Sequence, residues 1–156
     1  MPPLSHSLPG TWQLLSRVDT TADGVVVPDP ALGSDPIALL VYDGAGHFTA
    51  QFMKRVRDAA EPAKPAEPSV EPAGAGVAKN NTRAQGGYDA YFGTYEVDDE
   101  TGCVTQRLIG SLNPANVGMQ LTRAMTVTGD RLVIALETNA VDGTPVTRTL
   151  TWERVG

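Results

Sequence analysis

Read as apolar and polar positions, most of this chain alternates with a period of two, the repeat of a strand with one covered face. From Tyr88 the alternation sets Tyr91, Gly93, Tyr95 and Val97 on one face, and after the Asp98–Gly102 turn Val104, Gln106 and Leu108 share another. The spacing predicts a hairpin. Val146–Glu153 alternates most cleanly, with Val146, Leu150 and Trp152 opposite Thr147, Thr149, Thr151 and Glu153. Met119–Val127 and Arg131–Thr138 flank a Thr128–Asp130 turn, and Leu132, Ile134 and Leu136 align in the second of them. Nearer the N-terminus, Thr11–Val18 reads as a strand with Trp12, Leu14, Ser16 and Val18 on one face. The unbroken apolar run Ile37–Tyr42 predicts a strand covered on both sides. In His47–Lys54, bulk favours Phe48, Ala50 and Phe52 as the inner face, whereas a polar-lined pocket would favour Thr49 and Gln51.

Short turns, among them DGAG at 43–46 and Asp142-Gly143, join these strands to their successors. About eight strands joined this way predict an all-β fold, an up-and-down antiparallel meander. Closing it into a β-barrel removes both exposed edges, and an open sandwich would need crossings that such turns do not suggest. A barrel of that size holds its own side chains or one small ligand. Leu4–Leu8 predicts a short N-terminal turn across one end, and Arg83–Ala90 predicts one or two helical turns before Tyr91. Between them, Asp58–Asn81 is rich in Ala, Pro and Glu and predicts a flexible, extended insertion, either a passive loop or a lid over the cavity.

Length and charge narrow the function. The 156 residues fit a single domain, residues 1–156, with an ordinary 41% hydrophobic and 19% charged content. Twelve Lys and Arg against eighteen Asp and Glu leave a net charge of −6, which argues against nucleic acid and anionic membranes as partners. No run approaches the roughly 18 apolar residues of a membrane-spanning helix. Cys103 is the sole cysteine, so no internal disulfide forms, and MPPLSHSLPG lacks the pattern of an export signal. The expectation is a cytoplasmic protein. Two separated histidines and one cysteine do not supply metal-ligand spacing, and DGAG lacks the third glycine and following helix of a phosphate loop. No metal and no cofactor are therefore expected, and a homo-oligomer is left open.

Several pieces, in order and spacing, carry a resemblance: PGTWQLLS, LLVYDGAGHFTAQ, YFGTYEVD, SLNPANVG followed by Arg123, GDRLVIAL and LTWERV. Together they make the chain resemble the lipocalin-like domain family, over nearly its whole length apart from the Pro/Ala-rich insertion. The resemblance implies a calycin-type barrel with an internal pocket; related barrels include carriers of hydrophobic compounds and enzymes that isomerise or cyclise them. Such proteins often carry a histidine in the strand before the Ser-Leu-x-Pro loop, where this chain reads VTQRLIGSL. Gln106 or Arg107 takes that place, which weakens an acid–base role there.

Arg123 is the most informative charge, because it shares parity with Leu121, Met125 and Val127 on the expected inner face. A buried guanidinium needs a partner: Glu96, Glu137 or backbone oxygens if its role is structural, a carboxylate or enolate of a ligand if it is functional. Tyr91 and Tyr95 would reach inward beside it, as core rings or as proton donors to an oxyanion. Gln106 could orient a carbonyl, while Leu108, Leu121, Met125 and Leu136 would supply apolar contact. These residues support two readings. One is a binding protein for a small hydrophobic molecule bearing a polar or anionic group. The other is a cofactor-independent isomerase, cyclase or lyase on a polyketide- or terpenoid-like substrate, with Tyr91 or Tyr95 as acid and Arg123 as anion stabiliser, but with no evident general base. A third possibility is a structural domain whose core is filled.

Overall fold

The computed structural model describes residues 2–56, 81–140 and 142–156. Its nine strands, β1 (Gly10–Thr20), β2 (Val26–Val27), β3 (Ile37–Tyr42), β4 (His47–Met53), β5 (Tyr88–Asp98), β6 (Cys103–Ser111), β7 (Gln120–Thr128), β8 (Arg131–Asn139) and β9 (Pro145–Arg154), form one antiparallel sheet. Sheet order follows chain order from β3 to β9, and β1 pairs with both β3 and β9. The sheet thus closes into an eight-strand barrel, with β2 a two-residue spur on β1. The seam is long, running from Trp12 opposite Arg154 to Thr20 opposite Thr147. The expected meander and its closure are borne out, and closure satisfies the backbone groups that two free edges would leave unpaired.

One end is plugged. A single helical turn, α1 (Leu4–Ser7), leads into Leu8, which is buried with Trp12 and Trp152. The Trp12 indole N–H donates to the Leu8 carbonyl at 3.0 Å. The Arg154 guanidinium lies 4.3 Å from the Trp12 ring centroid and donates to the carbonyls of Pro9 (2.9 Å) and Ser7 (2.5 Å). Ser5 donates its N–H and hydroxyl to Asp99, beyond the end of β5, so the turn is held from the side as well. Cation–π contact and three donated bonds fix the plug where apolar packing alone would leave carbonyls unpaired.

Three local expectations are corrected. In β1 the register shifts between Leu14 and Ser16, leaving Leu15 as an extra residue. Beyond that bulge the faces exchange: Ser16 and Val18 turn outward, and Arg17 and Asp19 turn inward. In β3 only Ala38, Leu40 and Tyr42 are buried, and Ile37 and Leu39 are exposed, so the strand has one wet face. The segment before Tyr91 is not helical. Gly86 and Gly87 take φ of +59° and +74°, and a Gln85–Tyr88 bridge makes a tight turn straight into β5. Asn81 and Thr82 are ordered against the barrel; the rest of the expected insertion, 58–80, lies outside the described residues.

A second bulge puts Ile109 as the extra residue in β6, since Phe92 faces Gly110 while Gly93 faces Leu108. In β4 the Phe48, Ala50, Phe52 face is the inner one. Among the described residues no helix is long and apolar enough to cross a membrane.

Candidate functional site

Inside the barrel the two ends differ in chemistry. Around the plug the inward residues are apolar: Trp12, Leu14, Val104, Leu132 and Trp152. Toward the other end they become polar and charged, with Asp19, Thr82, Asp89, Thr138 and Arg148 all buried; Arg123, opposite Val104, is a buried charge nearer the plug. Leu32, in the 28–36 loop, is also buried, so that loop shields this end from solvent.

The charged groups are arranged in pairs. Arg148 donates from Nε to Asp19 Oδ1 at 2.8 Å and from Nη2 to Asp19 Oδ2 at 2.9 Å. Its Nη2 also lies 3.5 Å from Asp29 Oδ2, which accepts in addition from Arg17 Nη1. Burial alone would raise the Asp29 pKa, but the charge and hydrogen bond of Arg17, helped by Arg148, hold it below its ordinary value. Burial lowers the pKa of Arg17, and the charge of Arg148 adds to this, against the pull of Asp29 and Asp19.

Arg123 is buried, with Nη1 donating to the Thr122 carbonyl at 3.0 Å. Burial lowers its pKa, whereas Tyr91 and Tyr42 raise it and Arg148 opposes them. The three side chains therefore share one electrostatic environment. Burial pushes the Tyr91 phenol up to about 12, with the Asp89 charge adding to the rise and Arg123, Thr82 and Arg17 pulling back. Tyr42, fully enclosed, is raised well above its ordinary value by burial first, then by Tyr91, with Arg123 pulling back. Both phenols are neutral donors at physiological pH.

The remaining expected residues fall into place around this group. Gln106 is buried and donates from Nε2 to the Tyr42 hydroxyl at 3.1 Å, and that hydroxyl lies 3.9 Å from Met125 Sδ. Tyr95 is half-buried, packs edge-on against Tyr42 with centroids 4.8 Å apart, and donates its hydroxyl to the Asp43 carbonyl at 2.5 Å. Its phenol is thus committed to the turn below β3. Leu108, Leu121, Met125 and Leu136 all face the interior. Glu96 and Glu137 are exposed. Two hollows of about 470 and 380 Å³ open on the outside of the wall, the first beside the β5–β6 hairpin and the second among Val41, Thr49, Phe92 and Ile109.

Sequence reasoning missed Arg17, Asp19, Asp89 and Arg148. Asp89 and Arg148 had a usable signal, since each lies two residues from an inward side chain, Tyr91 and Leu150 respectively. Arg17 and Asp19 had none, because the bulge at Leu15 moves them inward. Asp89 is the most exceptional of the four. Its Oδ2 accepts from the Thr82 hydroxyl at 2.5 Å, and its Oδ1 has no hydrogen-bond partner among the described residues. Burial raises its pKa against the opposing pull of Thr82, the Ala90 N–H and Arg17.

A single sheet closed around an apolar core, plugged by an N-terminal turn and lined at its far end with buried polar groups, is a calycin-type barrel. The model of the lipocalin-like domain matches residues 9–155, and the chain belongs to that family. Among solved structures, the crystal structure of Rv2717c from M. tuberculosis aligns over 100% of this chain and 99% of that chain, at 14% identity and a TM-score of 0.36. No curated protein matches the chain.

Proposed function

We propose that the barrel binds a small, largely apolar molecule bearing one polar or anionic group. Arg123 and Tyr91 orient that group, and Leu108, Leu121, Met125 and Leu136 supply contact area. Tyr95 and Gln106 serve the site by fixing the Tyr42 ring and the wall behind it. The observation that carries the reading is the grouping of Arg123, Tyr91 and Tyr42, with Gln106 hydrogen-bonded to Tyr42, on the inner surface of the barrel among Leu121, Met125 and Leu108. Burying a guanidinium and two phenols there is costly for a core that only needs to be filled, and it is the pattern of a few placed polar groups in an apolar recess.

Isothermal titration against a panel of hydrophobic carboxylic acids and their methyl esters tests this. The expected result is an acid that binds the native protein and loses at least about tenfold in affinity in Arg123→Gln and in Tyr91→Phe, the loss of one charge-assisted hydrogen bond. Affinities for every acid that are indifferent to both substitutions would overturn the assignment.

A second reading, a cofactor-independent isomerase, cyclase or lyase acting on a polyketide- or terpenoid-like molecule in the same recess, gains support from one observation. The sequence offered no general base, and Asp89 is a buried carboxylate beside Tyr91.

A further inference from the structure

We propose that Asp89 is the proton acceptor of a cofactor-independent proton-transfer activity, acting on a carbon next to a carbonyl in a small apolar substrate. The proposal rests on the reading above that the barrel interior admits such a molecule.

Asp89 shares the inner face of β5 with Tyr91, and only 4% of its surface is exposed. The Thr82 hydroxyl fixes the carboxylate through Oδ2, and among the described residues no donor meets the hydrogen-bond geometry at Oδ1. Buried carboxylate oxygens are nearly always hydrogen-bonded, so an orphan acceptor in the interior needs a reason. A carboxylate kept for ion pairing would resemble Asp19, which Arg148 grips through both oxygens. Asp89 is held by neutral donors instead, the Thr82 hydroxyl and the neighbouring Ala90 N–H. The groups that face it are Thr82 from the segment ahead of β5, Arg17 from β1 and Tyr91 on its own strand, with the Phe52 backbone opposite in β4. Arg17 is already bonded to Asp29, so its charge reaches Asp89 at longer range. A carboxylate poorly solvated and weakly paired is a stronger base than one in water.

The neighbours supply the complementary part. Tyr91 lies within electrostatic reach of both Asp89 and Arg123. A carbonyl directed at the Arg123 guanidinium and the Tyr91 hydroxyl would place its α-carbon toward Asp89. Oδ1 takes the α-proton, the C–H pair becomes the C=C bond of an enolate, and the negative charge collects on the oxygen facing Arg123 and Tyr91. Return of the same proton to the γ-carbon of an unsaturated ketone moves the double bond and restores the carboxylate. No oxidant, reductant or metal enters the balance. The substrate class is an enolisable, unsaturated ketone or ester with an apolar body.

The test uses the full chain and two small aromatic probes. In 5-nitrobenzisoxazole a base removes the C3 proton, the N–O bond breaks with its pair going to the phenolate oxygen, and the nitrile forms with a strong absorbance change. The unreactive 6-nitrobenzotriazole reports binding by titration calorimetry. The native protein is expected to turn over the first probe, with a rate that rises with pH through an ionisation above that of a free carboxylate. Asp89→Asn is expected to lower kcat/KM by about 100-fold or more, the scale of a lost general base, while 6-nitrobenzotriazole still binds. Asp89→Glu should retain part of the rate with a similar pH profile, and the profile of the native protein stands as evidence if the Asn variant folds poorly. Binding of 6-nitrobenzotriazole with a rate indifferent to Asp89→Asn would overturn the role of Asp89 and leave the binding reading intact. Absence of binding for this probe and for the whole panel of acids and esters would overturn both.

Discussion

Asp19 and Arg148 sit directly opposite each other on the two strands that close the barrel, joined by two parallel hydrogen bonds of 2.8 and 2.9 Å. Both are buried; Asp19 is inward only because of the bulge at Leu15, whereas Arg148 follows the unbroken alternation of β9. A bidentate guanidinium–carboxylate pair is geometrically selective, so this pair fixes the register of the first strand against the last as well as their proximity.

Removing one partner should be far worse than removing both. Asp19→Ala leaves the buried Arg148 guanidinium with only its 3.5 Å contact to Asp29, and the expected cost is about 3 kcal/mol. Asp19→Leu combined with Arg148→Met is expected to recover much of that loss. Urea midpoints for the two single variants and the double variant check the ordering. A double variant no more stable than Asp19→Ala would mean that the seam depends on something other than this pair.

The Asp29 carboxyl gives the cluster a defined sensitivity to acid. Its folded pKa lies below the ordinary 3.8 because Arg17 and Arg148 outweigh the cost of burial. A depressed folded pKa contributes stability that is present above pH 3.8 and is lost as the pH falls through the folded value. Asp29→Asn is therefore expected to be less stable than the native protein at pH 7, with the difference shrinking below pH 3. Thermal melts at pH 7, 5, 3 and 2 measure it, and a constant difference across that range would contradict the linkage.

How far the chain could be read without coordinates depended on where its alternation stayed in register. β9 keeps strict parity from Val146 to Trp152, and all four of its inward residues follow from the spacing, Arg148 included. The order of the hairpins fixed the topology for the same reason, since each turn returns the chain to its neighbour. Parity failed at one residue, Leu15. No local signal marks that bulge, and one inserted residue inverts every later assignment in the strand, so Ser16 and Val18 were read as inner and Arg17 and Asp19 were missed. Arg17 and Asp19, two of the four ion-paired residues of the cluster, were hidden by that single shift. Arg123, Tyr91 and Gln106 were legible because β5 and the first half of β6 carry no insertion. The helix expected over 83–90 failed for a different reason: Gly86 and Gly87 take left-handed backbone conformations that end any helical turn.

Gly93 holds the other irregular point of the wall together. A Cβ at this position would lie 1.8 Å from the Arg107 carbonyl oxygen and 2.9 Å from the Ile109 amide nitrogen, both of them backbone atoms. The strands approach this closely where β6 bulges, and no rotamer change relieves the clash. Gly93→Ala should cost about 3 kcal/mol or more, at the upper end of overpacking penalties. Gly44→Ala, with nothing within 4 Å of its added carbon, serves as the control and should leave the melting temperature nearly unchanged. Equal melting temperatures for the two variants would mean that the β5–β6 contact is looser than the geometry requires.

The same burial that makes Asp89 a candidate base also makes it a burden on the fold, and the sign of that burden is testable. Its folded pKa is raised, by burial first, so the folded state holds a proton more tightly than the unfolded state. Such a group contributes stability fully below its unfolded pKa, and that contribution disappears as the pH rises through the folded value. Above its folded pKa the native protein carries a poorly solvated charge that Asp89→Asn removes at almost constant volume, keeping an oxygen to accept from Thr82. The expected outcome is a higher melting temperature for Asp89→Asn than for the native protein at pH 7, with the gap closing near pH 3, where the native side chain is protonated. A residue retained only for structure would show the opposite, with the Asn variant less stable at neutral pH. Stability gained by deleting a buried, half-partnered carboxylate is the mark of a group held in place for chemistry, because fold stability alone would favour its replacement. Scanning calorimetry of the two proteins from pH 3 to 8 reads both the sign and the closing of the gap.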